Sequence, residues 1–489
     1  MIRKFLRTVL IVFIFSVLLL IPARAEEADY KATTWTTKSF SDAEVLFDSN
    51  RATYKTVKEN GYITMQNPDG IAHLYIEFDR LPPEWLLKAG DHTITCGQKG
   101  FLHEYIDLVA VYGKAPTAVS IKFPMGTVIA DVYAFTEGDL PDWVQKWDVP
   151  CEKADLMLLS SHSDDEQLFF AGVLPYYAIE RKMEVQVVYI VQHFEANGIK
   201  DHTRPHEQLD GLWKVGVRHY PVMSTFPDVY SESKNRDVAF KQAEKAFGAA
   251  GVTYDDFKSY ITECLRRFKP LVVVSHDLNG EYGHGTHVFC ASALTEAIHL
   301  AADKTQYPQS ANRYGTWQVE KTYLHLYEEN PITMDWDTPL ESLGGKSPFQ
   351  VTQEGFGCHK SQHWTWFKRW IYGNNNQITK ATQIDTYSPC RYGLYDTKVG
   401  PDQAGGDFME NVLTHAEREE LDRQEAKAER ERQEAEQKAK FEAEAAAQKA
   451  KYRKVAFFGL CGCAVLVLIA GVIALVRRRR FKLEDEEEL

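Results

Sequence analysis

The sequence predicts an α/β protein: a Rossmann-like three-layer domain with a parallel sheet, preceded by a β-sandwich or jelly-roll domain and followed by a helical stalk and one transmembrane helix. Three observations carry that prediction. Short segments with period-two alternation fill residues 26–150; continuous apolar, β-rich runs separated by helix-like stretches fill 151–412; and an uncharged run, Val455–Val476, follows a segment made almost wholly of Ala, Glu, Lys, Arg and Gln.

Taken in order, residues 1–25 have a basic start (Arg3, Lys4, Arg7), an apolar run from Val9 to Ile21 and the triplet Ala23-Arg24-Ala25, the anatomy of a cleaved secretory signal. In the next segment "GYITMQN", "AHLYIEFD", "HTITCG", "AVSIKF" and "TVIADVYAF" alternate polar and apolar residues between turns, as strands with one buried face do. Trp35 and Trp85 offer aromatic surface for a sugar, although aromatics in such a domain more often belong to its core. Pro141 and Pro150 bracket a joint, after which "ADLMLLSS", "EVQVVYIVQ" and "PLVVVSHD" read as strands buried on both faces, hence a parallel sheet covered by helices. From 413 to 454 opposite charges recur three or four residues apart, predicting a solvated helix whose 414–449 part is about 55 Å long at about 1.5 Å per residue. A proper apolar heptad is missing, so an oligomer through this stalk is an option rather than a requirement. Val455–Val476 is long enough to span a bilayer, and Arg477–Arg480 follow at once. Positive charge stays inside, which puts 477–489 in the cytoplasm and the folded part outside the cell membrane.

Composition removes several classes. A net charge of −13, with no basic stripe on a folded-looking segment, excludes nucleic acid as partner. Six cysteines lie outside the span (Cys96, Cys151, Cys264, Cys290, Cys358 and Cys390), scattered and without C-x-x-C spacing, which argues against a zinc finger or a redox motif.

Chemistry concentrates at two predicted strand ends. "LMLLSSHSDDEQLFF" presents His162, Asp164, Asp165 and Glu166 where ligands sit in an open α/β sheet, beyond the carboxyl ends of strands. His162 and Asp165, three apart in a turn expected to enter a helix, can reach one cation, and a cation offsets the repulsion among adjacent acids. "VVVSHDLNGEYGHGTHVFC" repeats the arrangement with His284 and His287, and Tyr282 just before. A lone H-x-D-D-E is more often a solvated helix start, with acids favoured by the macrodipole. The joint occurrence favours a metal: together the two turns offer His162, Asp165 and a histidine of the second turn, a three-ligand set of the catalytic zinc type.

"HSDDE" at 162–166, "RPHE" at 204–207 and "HDLNGEYGHGTH" at 276–287 resemble the LmbE-like, or PIG-L, family of zinc-dependent N-acetylglucosaminyl de-N-acetylases, over about Lys153 to Asn411. The resemblance implies zinc on His162, Asp165 and His287, Asp164 as general base, and His284 and Tyr282 stabilising the oxyanion or protonating the leaving amine. It also implies sugar contacts from Arg204 and Glu207, which on the residues alone could equally be a surface ion pair on a polar turn. His359 and Trp364 are marginal candidates for the sugar pocket. His193, His202, His206 and His276 read as supporting or solvent-exposed, and Cys290 as a small buried apolar residue. Two positions depart from the family: Ser163 replaces proline, and Thr286 replaces the aspartate beside the catalytic histidine, depriving His284 of a carboxylate that would raise its basicity.

The expected function is therefore a membrane-anchored, extracytoplasmic hydrolase that removes acetyl groups from an N-acetylated amino-sugar glycan or glycolipid. Two alternatives remain open: a non-catalytic surface carbohydrate-binding or adhesion protein, and an amidase with another substrate.

Overall fold

A computed structural model of the chain describes residues 27–191, 203–231 and 233–484. The segment read as a signal, and His193 and His202, lie outside the described residues. The described residues up to Thr414 form one compact unit and those from His415 onward a second.

Nine strands build the first part of the compact unit: β1 (Thr34–Lys38), β2 (Lys55–Thr56), β3 (Gly61–Gln66), β4 (His73–Phe78), β5 (Trp85–Ala89), β6 (His92–Cys96), β7 (His103–Asp107), β8 (Ala118–Phe123) and β9 (Val128–Phe135). They form two antiparallel sheets, ordered β1-β3-β8-β5-β6 and β2-β9-β4-β7. Alternate residues of both sheets, Ile63 and Met65 from one, Leu74 and Ile76 from the other, meet in a shared apolar core. Trp85 belongs to that core, only 1% exposed, with its indole N–H donating to Glu104 Oε2 at 2.9 Å. Trp35 stacks on Phe47, ring centroids 4.2 Å apart.

The second part is a seven-stranded sheet of β10 (Leu156–Ser160), β11 (Val185–Val191), β12 (Val222–Phe226), β13 (Val272–Ser275), β14 (Lys321–His325), β15 (Pro331–Thr333) and β16 (Arg391–Thr397), ordered β12-β11-β10-β13-β14-β16-β15. The pairings from β12 to β14 are parallel. β16 runs antiparallel to both of its neighbours. The unbroken apolar runs in the sequence follow from burial on both faces. Leu156 and Leu158 of β10 enter one core with Leu209 and Leu212 of the 203–214 helix, while Met157 and Leu159 enter another with Phe247, Phe257 and Phe289. The helix Tyr254–Phe268 forms because Thr253 and Asp256 close a capping box, and it buries Phe257, Ile261, Cys264, Leu265 and Phe268 on one face. Phe289, within 4.6 Å of Phe247 and 5.3 Å of Phe257 by ring centroid, fills the centre of this layer. Truncating it to alanine costs about 3–5 kcal/mol by leaving a cavity.

Polar contacts join the sandwich to the 203–214 helix. Arg51 donates to Glu77 at 2.9 Å and to Asp210 at 2.5 Å. His103 of β7 bridges Gln145 Oε1 and His206 Nδ1, each at 2.6 Å. Phe101 stacks on Tyr220 at 4.3 Å.

The second unit is one continuous helix, His415–Glu484, so the expected stalk and span are a single element. It is long and apolar enough to cross a membrane.

Candidate active site

β10 delivers its chemistry directly. After Ser160 the chain bends at Ser161 and His162 and passes through successive turns from Ser163 to Gly172 rather than entering the expected helix, which is delayed to Pro175–Glu180. Asp164 takes φ 127°, a backbone state costly for a residue with a Cβ and concentrated at functional sites. That kink sends Asp164 and Asp165 different ways. Asp165 Oδ2 accepts from the His162 backbone N–H at 2.8 Å. Asp164 Oδ2 instead lies 3.3 Å from Arg204 Nη2, and its backbone N–H donates to Glu166 Oε2 at 2.9 Å. Arg204 and Glu207 are inside the 203–214 helix, not on a turn before it, and Glu207 accepts from the Ser361 N–H at 2.8 Å.

β13 delivers the second motif. Gly280 at φ 68° and Gly283 at φ 78° make the turn, and a Cβ at either would lie 2.7 Å from a backbone oxygen. The helix Gly285–Leu300 follows, with His287 in its first turn.

The two motifs converge on three atoms. His162 Nδ1 stands 3.1 Å from Asp165 Oδ2 and 3.0 Å from His287 Nε2, and His287 Nε2 stands 3.3 Å from Asp165 Oδ2. Donors around a tetrahedral zinc, with bonds of about 2.0–2.1 Å, are about 3.3 Å apart, so this triangle fits the ion. The outer shell fits as well. His162 Nε2 meets Asp228 Oδ1 at 2.9 Å and His287 Nδ1 meets Glu281 Oε2 at 2.7 Å, so each histidine has a carboxylate on its far nitrogen, the arrangement that orients metal-binding imidazoles. Burial alone would lower both histidines. Asp228 and Asp165 overcome it for His162, raising it to about 10, and Asp165 with Glu281 raise His287 to about 9. The cage is electron-rich and calls for a cation. His284 is also close enough to join His162 and His287, and His276 to join Asp165 and His287.

Several partners in this site were not legible as such. Glu281 holds three histidines: His276 at 2.8 Å, His287 at 2.7 Å and His325 at 2.6 Å. His276 is fully buried and reaches the Ser161 N–H at 2.9 Å, a supporting position. Asp228 arrives from the loop after β12, and its loop is docked by Thr286, whose Oγ1 accepts from Val229 N–H at 2.8 Å. A Cβ on Gly285 would approach Val229 O to 2.8 Å, so glycine permits the contact. The carboxylate expected to be missing beside His284 is thus supplied from elsewhere, with Asp228 Oδ1 3.4 Å from His284 Nε2. His284 Nδ1 finds no partner among the described residues, and the Asp228 carboxylate facing Nε2 favours the tautomer with its hydrogen there. Burial, then the nearby His162 and His287, pushes His284 well below its ordinary value and keeps it neutral. Burial pushes Tyr282 well above its ordinary value, so the phenol keeps its proton. His359 is buried, 3.3 Å from Glu166, and Trp364 is 85% exposed. Cys290 is buried, as expected.

The family profile described as PIG-L: GlcNAc-PI de-N-acetylase matches residues 157–298. The chain carries a PIG-L (LmbE-like) domain over those residues. Among curated relatives, it is 27% identical over 212 residues to the 1D-myo-inositol 2-acetamido-2-deoxy-alpha-D-glucopyranoside deacetylase 2 of Saccharopolyspora erythraea, covering 40% of this chain and 73% of that one. It is 29% identical over 127 residues to the mycothiol S-conjugate amidase of Streptomyces coelicolor, covering 26% and 36%. Among solved structures, the N,N'-diacetylchitobiose deacetylase of Pyrococcus horikoshii aligns at 13% identity and a TM-score of 0.32 over 49% of this chain and 83% of that one.

Proposed function

We propose that residues 151–412 are a zinc-dependent hydrolase that removes acetyl groups from N-acetylated amino sugars. In the proposed organisation, 26–150 is a sandwich domain with jelly-roll connectivity, 413–454 a stalk and 455–476 a membrane anchor that holds the enzyme outside the cell. One observation carries the reading: the His162, Asp165 and His287 donors form a triangle of 3.0–3.3 Å whose two imidazoles are each backed by a carboxylate. The curated names among the relatives, a sugar deacetylase and an amidase, support amide hydrolysis as the reaction.

Zinc bound by these three residues supplies a Lewis acid and a water with its pKa lowered to about 7. The remaining work falls to the chain. Asp164 is buried beside the ligands without joining their triangle, and Arg204 keeps its carboxylate oriented, so it is the group placed to take the proton of the attacking water. His284, neutral with its hydrogen on Nε2, and Tyr282, with its phenol protonated, offer donors for the developing oxyanion and the departing amine. Exposed Tyr230 and Trp366, 5.9 Å from His284 and 5.7 Å from Tyr282 by ring centroid, give a rim against which the apolar face of a sugar ring can pack.

The test pairs metal content with amine release from a panel of N-acetylglucosamine-containing glycans. Wild-type protein is expected to release free amine, and His287→Ala to lose both the reaction and the metal of this site, since one of three protein ligands is gone. Full amine release by metal-stripped protein would overturn the reading.

A further inference from the structure

A second cluster of metal-binding side chains lies at the opposite end of the same sheet. Cys151 precedes β10, Glu184 immediately precedes β11 and His219 precedes β12, so all three gather at the amino ends of strands whose carboxyl ends face the catalytic motifs. With strands of 5 to 7 residues between them, the two clusters are separated by about 17–23 Å, at about 3.3 Å per residue. The Cys151 sulfur, a Glu184 oxygen and a His219 nitrogen lie within 4.8 Å of one another.

The histidine is set up as a ligand. His219 Nδ1 lies 2.7 Å from the Val149 carbonyl oxygen, which can only accept, so that nitrogen carries the hydrogen. Nε2 meets Glu184 with the Cys151 thiol nearby, acids that hold a second hydrogen there until a metal displaces it and takes the lone pair. A ring fixed by Nδ1–H on a backbone carbonyl is the usual support of a metal-bound imidazole. Cys151 is buried and its backbone N–H is anchored on Gln186 Oε1 at 2.8 Å, so the sulfur has little freedom. The Glu184 side chain, 58% exposed and in contact with His219 Nε2, has room to turn from it onto an ion or to admit water.

We infer that Cys151, Glu184 and His219 form a second zinc site, open to solvent and remote from the reaction, that ties the joint between the sandwich and the α/β domain to the first strands of the sheet. One sulfur, one imidazole and one carboxylate, with solvent at the fourth position, suit a borderline-soft tetrahedral ion. Binding releases to solvent the thiol proton of Cys151 and the Nε2 proton that His219 shares with Glu184, as the thiolate and the imidazole take the metal. No spacing in the sequence announces the site, because its ligands come from three separate segments that only the sheet brings together.

Cobalt(II) in place of zinc on the purified full-length protein separates this site from the catalytic one, whose donors include no sulfur. The expected result is a near-ultraviolet thiolate-to-cobalt charge-transfer band in wild type, retained in His287→Ala, absent in Cys151→Ser and strongly weakened in His219→Ala. Zinc analysis of the same samples is expected to give two ions per chain in wild type and one in Cys151→Ser, with unchanged far-ultraviolet circular dichroism. If the serine variant fails to fold, the wild-type and His287→Ala spectra still decide. A folded wild type without the band, or a band that survives Cys151→Ser, overturns the site and leaves His219 as an imidazolium held between Val149 and Glu184.

Discussion

Among the described residues two pairs of buried histidines meet nitrogen to nitrogen, and they behave oppositely. At the carboxyl ends of the sheet His162 and His287 approach to 3.0 Å; at the seam with the sandwich His103 and His206 approach to 2.6 Å. The first pair is backed by carboxylates, Asp228 and Glu281, with Asp165 between the rings. The second is backed by an amide, Gln145, with the Arg51 cation nearby. Burial, then Arg51, holds His103 well below its ordinary value, whereas acids lift His162 and His287 above theirs. The amide-backed pair, with His103 held neutral, acts as a strut, while the negatively backed pair offers its donors to a cation. The acid behind the ring, more than the ring itself, decides whether a buried histidine pair becomes a metal site.

The largest expected effect comes from the one acid of the cluster that backs no ring. Asparagine in Asp164→Asn preserves size and hydrogen bonding but accepts no proton, so turnover should fall about 100-fold or more with zinc retained. Deacetylation rate and metal content measured on one sample check this, and near-normal turnover with metal bound would remove Asp164 from the mechanism.

Next, Glu281→Gln turns the acid behind His287 into an amide like the one behind His103. Loss of such an outer partner weakens metal affinity by about 10–100-fold, so zinc should be competed away by a chelator that leaves wild type loaded. Asp228→Asn makes the same change behind His162, where the acid is partly exposed, and the shift should sit at about the 10-fold end of that range. Equal chelator resistance in all three proteins would show that the carboxylates do not tune the site.

The sequence made the strand-end acids, the parallel sheet and the long polar-to-apolar helix legible because each is written in contiguous residues: "HSDDE" after an apolar run, "HDLNGEYGHGTH" after another, and Val455–Val476. Asp228 was not legible, since it belongs to a loop whose neighbours carry no motif and is brought to His162 and His284 by the Thr286 contact. Thr286 itself read as a lost carboxylate, because a local pattern does not report what another loop supplies. Glu281 lay inside a motif and still went unremarked; its role depends on His325 from β14, which only the sheet order places beside it.

The smallest effect sharpens the comparison from the seam. His103 stays neutral in the folded protein because burial and Arg51 oppose a charge, while in the unfolded chain it takes up a proton below about pH 6.5. Its folded pKa is therefore depressed, and the unfolded state binds more protons as pH falls, so stability must drop on acidification through that value. One such group costs about 1.4 kcal/mol per pH unit below the unfolded pKa, or about 2 kcal/mol between pH 6.5 and pH 5. Replacing it in His103→Gln keeps a polar partner for Gln145 and His206 but removes the titration. The variant is expected to be less stable at pH 7, through imperfect packing, yet to lose about 2 kcal/mol less than wild type between pH 6.5 and pH 5. Denaturant unfolding of zinc-loaded protein at the two pH values measures the difference directly. Parallel curves would mean that His103 is already charged in the folded state, and that an amide backing does not keep this buried histidine neutral.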